Sequence, residues 1–126
     1  FKNCSFGSVT IIMADNFYYK VRIMAFAPEG DTKCAFGRGT AMLLRGVDNH
    51  HSLNRAAKDL NMAYSKAWKS INGTEEYFGF KLIERHAQHG SVLTEKGRRF
   101  LELYEEAEKR ATDAVLEVFR DSEFHA

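Results

Sequence analysis

The chain has 126 residues, 44% of them hydrophobic and 28% charged, with one proline, two cysteines and a formal net charge of +1. This length suits a single domain that can bury a real core, and the apolar content excludes a chain that stays disordered. No apolar run is long enough to span a bilayer and no signal-peptide pattern is present, so a cytoplasmic location with Cys4 and Cys34 reduced is expected.

Residues 1–17 read as an N-terminal extension or an extra strand, SVTIIM being the strand candidate. Phe1 stands first, and Met13-Ala14-Asp15 would make an ordinary start, so the residues before it can be an upstream extension. Residues 18–126 are expected to form one domain. Its first element is a hairpin over 18–36. Tyr18 to Ala27 alternates with Val21, Ile23 and Ala25 on one face, Pro28-Glu29-Gly30-Asp31 turns the chain, and Lys33 to Phe36 returns. Gly37-Arg38-Gly39 before a helix invites comparison with a phosphate loop but lacks the Gly-Lys-Ser/Thr ending, so its glycines are assigned to the strand-to-helix turn. A helix over about 39–48 follows, with Ala41, Leu43, Leu44 and Val47 inward.

Residues 52–72, SLNRAAKDLNMAYSKAWKSIN, carry two short apolar stripes separated by Asn61, the sequence form of a helix-turn-helix. Leu53, Ala56, Ala57 and Leu60 fall at i, i+3, i+4 and i+7, one face of a helix over about 52–60 with Ser52 as its N-cap. Ala57 must be small where the next helix crosses, and Asn61 tolerates the left-handed conformation of the corner. In the second helix, about 63–77, Tyr64, Ala67, Trp68 and Ile71 form the apolar stripe, with Trp68 read as packing and not as a stacking platform. Ala63, Ser65, Lys66, Lys69 and Asn72 would face a DNA major groove, with Ser52, Arg55 and Arg85 on the backbone. Gly73 sits inside this helix at a cost of about 1 kcal/mol relative to Ala, and a kink or frayed end just past Asn72 is expected.

Residues 80–93 read as a wing. Phe80, Leu82 and Ile83 make one strand and Val92 with Leu93 the other, with Gly90 and Ser91 in the turn. From 94 to 120 a single long helix is expected, with Phe100, Tyr104, Ala107, Ala111, Ala114 and Val118 at alternating spacings of four and three as a dimer seam. The alternative is that this helix folds back on its own domain.

At this point a resemblance becomes specific. The runs AAKDLNMAYSKAWKSIN, KLIERH and SVLTEKGRRFLELY are similar to the N-terminal domain of the molybdate-dependent transcriptional regulators, the ModE family, itself like the winged helix-turn-helix of LysR-type regulators. The likeness covers roughly residues 38 to 110, and Tyr64-x-x-Ala67-Trp68-x-x-Ile71-Asn72 is its most distinctive part. It implies an α+β winged helix-turn-helix fold, double-stranded DNA as partner, and dimerisation through the long helix. The family wing is often a long glycine-rich loop with a lysine. Here it is contracted to His86-Ala87-Gln88-His89-Gly90-Ser91, where protonated His86 and His89 could stand in for the lost cation. The ligand-binding modules of full-length molybdate regulators would need further chain after residue 126, so molybdate binding is not expected in this chain.

Charge along the chain agrees with this reading. Residues 52–99 hold nine Lys/Arg and five Asp/Glu, net +4, whereas residues 100–126 hold three and eight, net −5. Basic charge on the helix-turn-helix steers association more than the total does. No nucleophile with an assignable base and no converging metal ligands are evident, so neither an enzyme nor a metal or cofactor protein is expected. The reading is a sequence-specific transcriptional regulator acting as a homodimer on palindromes. Its alternative is a winged-helix protein-interaction module that no longer grips DNA.

Overall fold

The computed structural model describes residues 2–6, 9–13, 17–28 and 34–125. The chain divides into two compact units, one built from residues 1–23 and 103–126 and the other from residues 24–102, where the sequence reading treats 18–126 as one domain.

In the first unit, β1 (Lys2–Phe6) and β2 (Val9–Met13) pair antiparallel with Cys4 opposite Ile11, so the described part of the SVTIIM segment, from Val9 to Met13, is a strand. Residues 17–23 are extended but pair with no strand among the described residues. Tyr19, Val21 and Ile23 are half-buried while Tyr18, Lys20 and Arg22 are exposed. The covered face lies against the C-terminal part of the last helix. The Tyr19 ring stacks on Phe119 with centroids 4.3 Å apart, and the Tyr104 hydroxyl donates to the Ile23 carbonyl at 2.7 Å. The expected strand over 18–27 is therefore corrected to β3 (Ala25–Phe26), which pairs with β4 (Cys34–Phe36) across a register break. The alternation is real, but a helix and not a second strand satisfies it. Most of the Pro28–Asp31 turn lies outside the described residues.

In the second unit, α1 (Arg38–His50) buries Ala41, Leu43, Leu44 and Val47 as expected, running one to two residues longer at each end. It stops at His51, whose φ of 56° is left-handed. α2 (Leu53–Asp59) begins under Ser52, whose hydroxyl oxygen accepts from the Arg55 N–H at 3.1 Å. The tight crossing falls between α1 and α2. A Cβ on Gly46 would stand 2.6 Å from the Ala56 Cβ, so the two helices meet where neither can carry a larger side chain. Asn61 takes φ 54° at the second corner, and the Leu60 and Met62 N–H groups both donate to the Ala57 carbonyl.

α3 (Tyr64–Phe78) runs without interruption through Gly73 and ends at Gly79, φ 76°, whose N–H donates to the Glu75 carbonyl. The kink expected past Asn72 is absent because tertiary bonds hold the turn after Gly73. The Thr74 hydroxyl donates to the Ala35 carbonyl at 2.5 Å. The buried Glu75 carboxylate accepts from the Leu82 N–H at 2.7 Å and the Ile83 N–H at 3.4 Å. Together these offset the propensity cost of one glycine, which is about 1 kcal/mol.

β5 (Ile83–His86) and β6 (Gly90–Leu93) form the wing, with Ile83 opposite Leu93 and His86 opposite Gly90. The turn is Ala87-Gln88-His89. Gly90 and Ser91 belong to the strand, and Phe80 and Leu82 to the approach before β5, a correction of the expected boundaries. α4 (Glu95–Phe119) starts at Thr94, whose side-chain oxygen accepts from the Gly97 N–H at 2.9 Å. A Cβ on Gly97 would lie 2.5 Å from the Leu82 carbonyl oxygen, so glycine lets α4 begin directly against the wing. Phe36, Leu43, Leu44, Ile71, Leu82 and Leu101 are fully buried, and Phe100 closes this core edge-on to Phe36, centroids 4.8 Å apart.

Replacing Glu75 with Ala strands the Leu82 and Ile83 N–H groups in the core. The variant should lose about 1–3 kcal/mol in urea unfolding, and Glu75→Gln, which keeps an acceptor oxygen, should lose less.

Candidate nucleic-acid interface

The exposed face of α3 follows from its period. Ala67, Ile71, Thr74 and Glu75 are buried, which turns Ser65, Lys69 and Asn72 outward, with Lys66 at one side and Ala63 ahead of the first turn. All five of these expected groove residues are exposed. Tyr64, expected in the apolar stripe, is 44% exposed and meets the half-buried Trp68 edge-on at 6.3 Å, because it stands one turn beyond the helices that cover Ala67. Glu76 lies four residues past Asn72 on the same outward face and is exposed. Sequence reasoning missed it by ending the helix face at Asn72. Continuing the 3.6-residue period by one turn would have found it.

The wing is fixed to the corner before α2. The Ser91 N–H donates to the His51 carbonyl at 2.9 Å, and Gly90, φ 70°, passes so close that a Cβ there would be 2.5 Å from that same oxygen. This brings β6 beside Ser52, whose N-cap bond leaves its O–H hydrogen able to donate outward. Arg85 is exposed on β5. His86 lies 3.1 Å from the Glu84 carboxylate, so protonation there forms an ion pair within the wing, whereas His89 is exposed at the turn with its ring 6.4 Å from that of His86.

Several of the basic residues have acidic neighbours. Arg55 is 3.5 Å from Asp59, which also meets His50 at 3.4 Å; Lys81 is 3.5 Å from Glu75. Arg98 is bound to Asp48 at 2.8 Å, and that hydrogen bond, reinforced by the carboxylate charge, raises the guanidinium pKa further. Arg98 thus anchors α4 to α1.

Along the other side of α3 runs a groove of about 510 Å³, lined by Phe36, Thr40, Met62, Ser70, Gly73 and Tyr77 among others. Among the described residues, Lys66 and Lys69 are the only charged ones that line it. The Thr40 and Ser70 hydroxyls, which both line it, bond each other at 2.9 Å.

Of the expected seam on α4, Phe100 packs on Phe36 and Phe78, and Tyr104 is buried with its hydroxyl on Ile23. Ala111 is half-buried, and Ala107, Ala114 and Val118 are exposed. Among the described residues no group of side chains is arranged to hold a metal ion, and no helix is long and apolar enough to cross a membrane.

Two helices meeting at a left-handed Asn, the second with a polar outward face, and a short antiparallel wing define a winged helix-turn-helix domain. Residues 41–98 match the bacterial regulatory helix-turn-helix proteins of the lysR family. Over 67 residues the chain is 33% identical to the DNA-binding transcriptional dual regulator ModE of Escherichia coli K12, and equally to the transcriptional regulator ModE of Escherichia coli O157:H7 and of Shigella flexneri. The chain therefore carries a ModE-like helix-turn-helix domain. The matched stretch covers half of this chain and 26% of each of those relatives.

Gly90→Ala forces both a left-handed alanine and a clash with the His51 carbonyl. It should lower the unfolding free energy by about 1–3 kcal/mol, and amide exchange at Ser91 should accelerate more than exchange in α1.

Proposed function

We propose that the chain is a cytoplasmic, sequence-specific DNA-binding transcriptional regulator that acts as a homodimer on palindromic sites. The observation that carries this reading is the outward face of α3, where Ser65, Lys69 and Asn72 stand exposed on a helix held at both ends by the corner at Asn61 and the Glu75 bonds. Inserted in a major groove, that helix offers donors and acceptors to base edges from Ser65, Lys69 and Asn72, with Ala63 leading into the groove and Lys66 beside it. Ser52, Arg55 and Arg85 then lie toward the flanking phosphates, and His89 at the wing tip follows the backbone with His86 behind it.

Homodimerisation is supported by α4. Leu103, Ala107, Ala114 and Val118 share one face, with Leu103 55% and Val118 77% exposed. Such a stripe is buried when two copies pair, with Ala111 at its margin. A two-fold dimer would set two α3 helices on half-sites about 34 Å apart. Phe100 and Tyr104, expected in the seam, are instead taken up within the chain, against Phe36 and Phe78 and on the Ile23 carbonyl, so the proposed stripe does not rest on them.

The second reading, a protein-interaction module, draws on Glu76, which puts a carboxylate on the face that would meet DNA. Salt separates the two. Selection from random oligonucleotides should enrich a palindrome, and affinity for it should fall by several powers of ten between about 50 and 200 mM salt. Lys69→Ala should weaken binding and flatten that slope by about one unit. An absent palindrome with no salt dependence would favour the interaction module. Val118→Glu should shift the chain toward monomer in sedimentation equilibrium while leaving its circular dichroism unchanged.

A further inference from the structure

We propose that the groove beside α3 seats the DNA backbone adjoining the bases that α3 reads, with a phosphate between Lys66 and Lys69 and the adjoining deoxyriboses along the wall that runs from Met62 to Tyr77. The inference rests on the reading of α3 as a DNA-binding helix and extends it to a second face of that helix. Gly73 is the starting point. Glycine weakens a helix interior, and packing does not require it here, because a Cβ at position 73 would meet nothing within 4 Å. The open space it leaves is the groove itself. The residues set aside as an incomplete phosphate loop, Gly37 and Gly39, line the same groove from the start of α1. Glycines at the start of α1 and in the middle of α3, more than thirty residues apart, thus line one trough.

Its chemistry selects the occupant. Among the described residues both charged ones lining the trough are lysines, none is a carboxylate, and much of the remaining wall is apolar. A bare anion would use the lysines alone, whereas a sugar–phosphate segment uses cations and apolar wall together. Lys69 belongs both to the outward face of α3 and to the trough, so an occupant of one is contiguous with an occupant of the other. Duplex DNA is the ligand that presents base edges and, beside them, a backbone strand. The Thr40–Ser70 bond ties α1 to α3 at the wall of the trough.

The test uses the full chain and the duplex enriched by selection. Gly73→Leu fills the trough with a better helix former, so the fold should be retained, as checked by circular dichroism and melting temperature. Its DNA affinity should fall about tenfold or more, with the selected sequence unchanged. Gly73→Ala, whose side chain fills less of the trough, should lose less affinity than Gly73→Leu. Independently of that variant, single phosphates in each half-site are replaced by neutral methylphosphonates. One replacement per half-site should weaken the wild-type chain but have little further effect on Lys66→Ala/Lys69→Ala. A folded Gly73→Leu chain with wild-type affinity, or losses from methylphosphonates that add fully to those of the lysine variant, overturns the proposal while leaving the DNA reading of α3 intact. A wild-type chain that enriches no duplex overturns that reading and the groove proposal with it.

Discussion

The helix-turn-helix and its wing depend on the buried carboxylate of Glu75. A carboxylate leaves water only when hydrogen bonds replace its solvation, and here the N–H groups of Leu82 and Ile83 do so, with the Lys81 ammonium 3.5 Å away at the protein surface. Those two N–H groups lie where the chain leaves α3 and becomes β5. The Leu82 carbonyl in turn accepts from the Thr94 N–H at 2.9 Å, and the close approach of Gly97 sets α4 against the same carbonyl. One side chain thus fixes the end of α3, the entry to the wing and the start of the last helix.

That arrangement explains why a glycine is tolerated in the middle of α3. The helix is gripped on its inner face on either side of Gly73, by Ile71 in the core and by Thr74 and Glu75 through hydrogen bonds, so local propensity does not decide its continuity. The charge balance is redistributed in the same way. Counted along the chain, residues 52–99 carry an excess of four positive charges. Asp48 and Glu75 draw Arg98 and Lys81 into structural pairs, and the lysines that line the trough are those at 66 and 69. Net charge on a segment is therefore a weaker guide than the positions at which folding leaves the charge directed outward.

Much of the helix-turn-helix was legible in the residues because its determinants are local. The Ser52 cap, the Leu53, Ala56 and Ala57 stripe and the left-handed Asn61 each act within one or two turns of helix. What was not legible depended on distant partners. The alternation in residues 18–27 is indistinguishable in sequence from that of a paired strand, and only Tyr104 and Phe119 reveal that a helix covers residues 17–23. The wing turn was displaced because Gly90 reads as a turn residue, whereas its positive φ serves a close approach to His51. Tyr64 looked like core because periodicity marks a face and not where along the helix the covering helices stop. The trough had no signature at all, since its glycines belong to separate elements.

The contact between Gly90 and the His51 carbonyl also bears on how such a domain can diversify. With β6 anchored at its first residue and β5 anchored through the bonds from Ile83 to Glu75, both ends of the hairpin are set by the body of the domain. Residues added at Ala87-Gln88-His89 would extend the tip outward and leave both anchors in place, whereas an insertion at Gly90 would shift the strand off the corner before α2. The three-residue tip is therefore the point at which this wing can be lengthened or shortened without refolding α3.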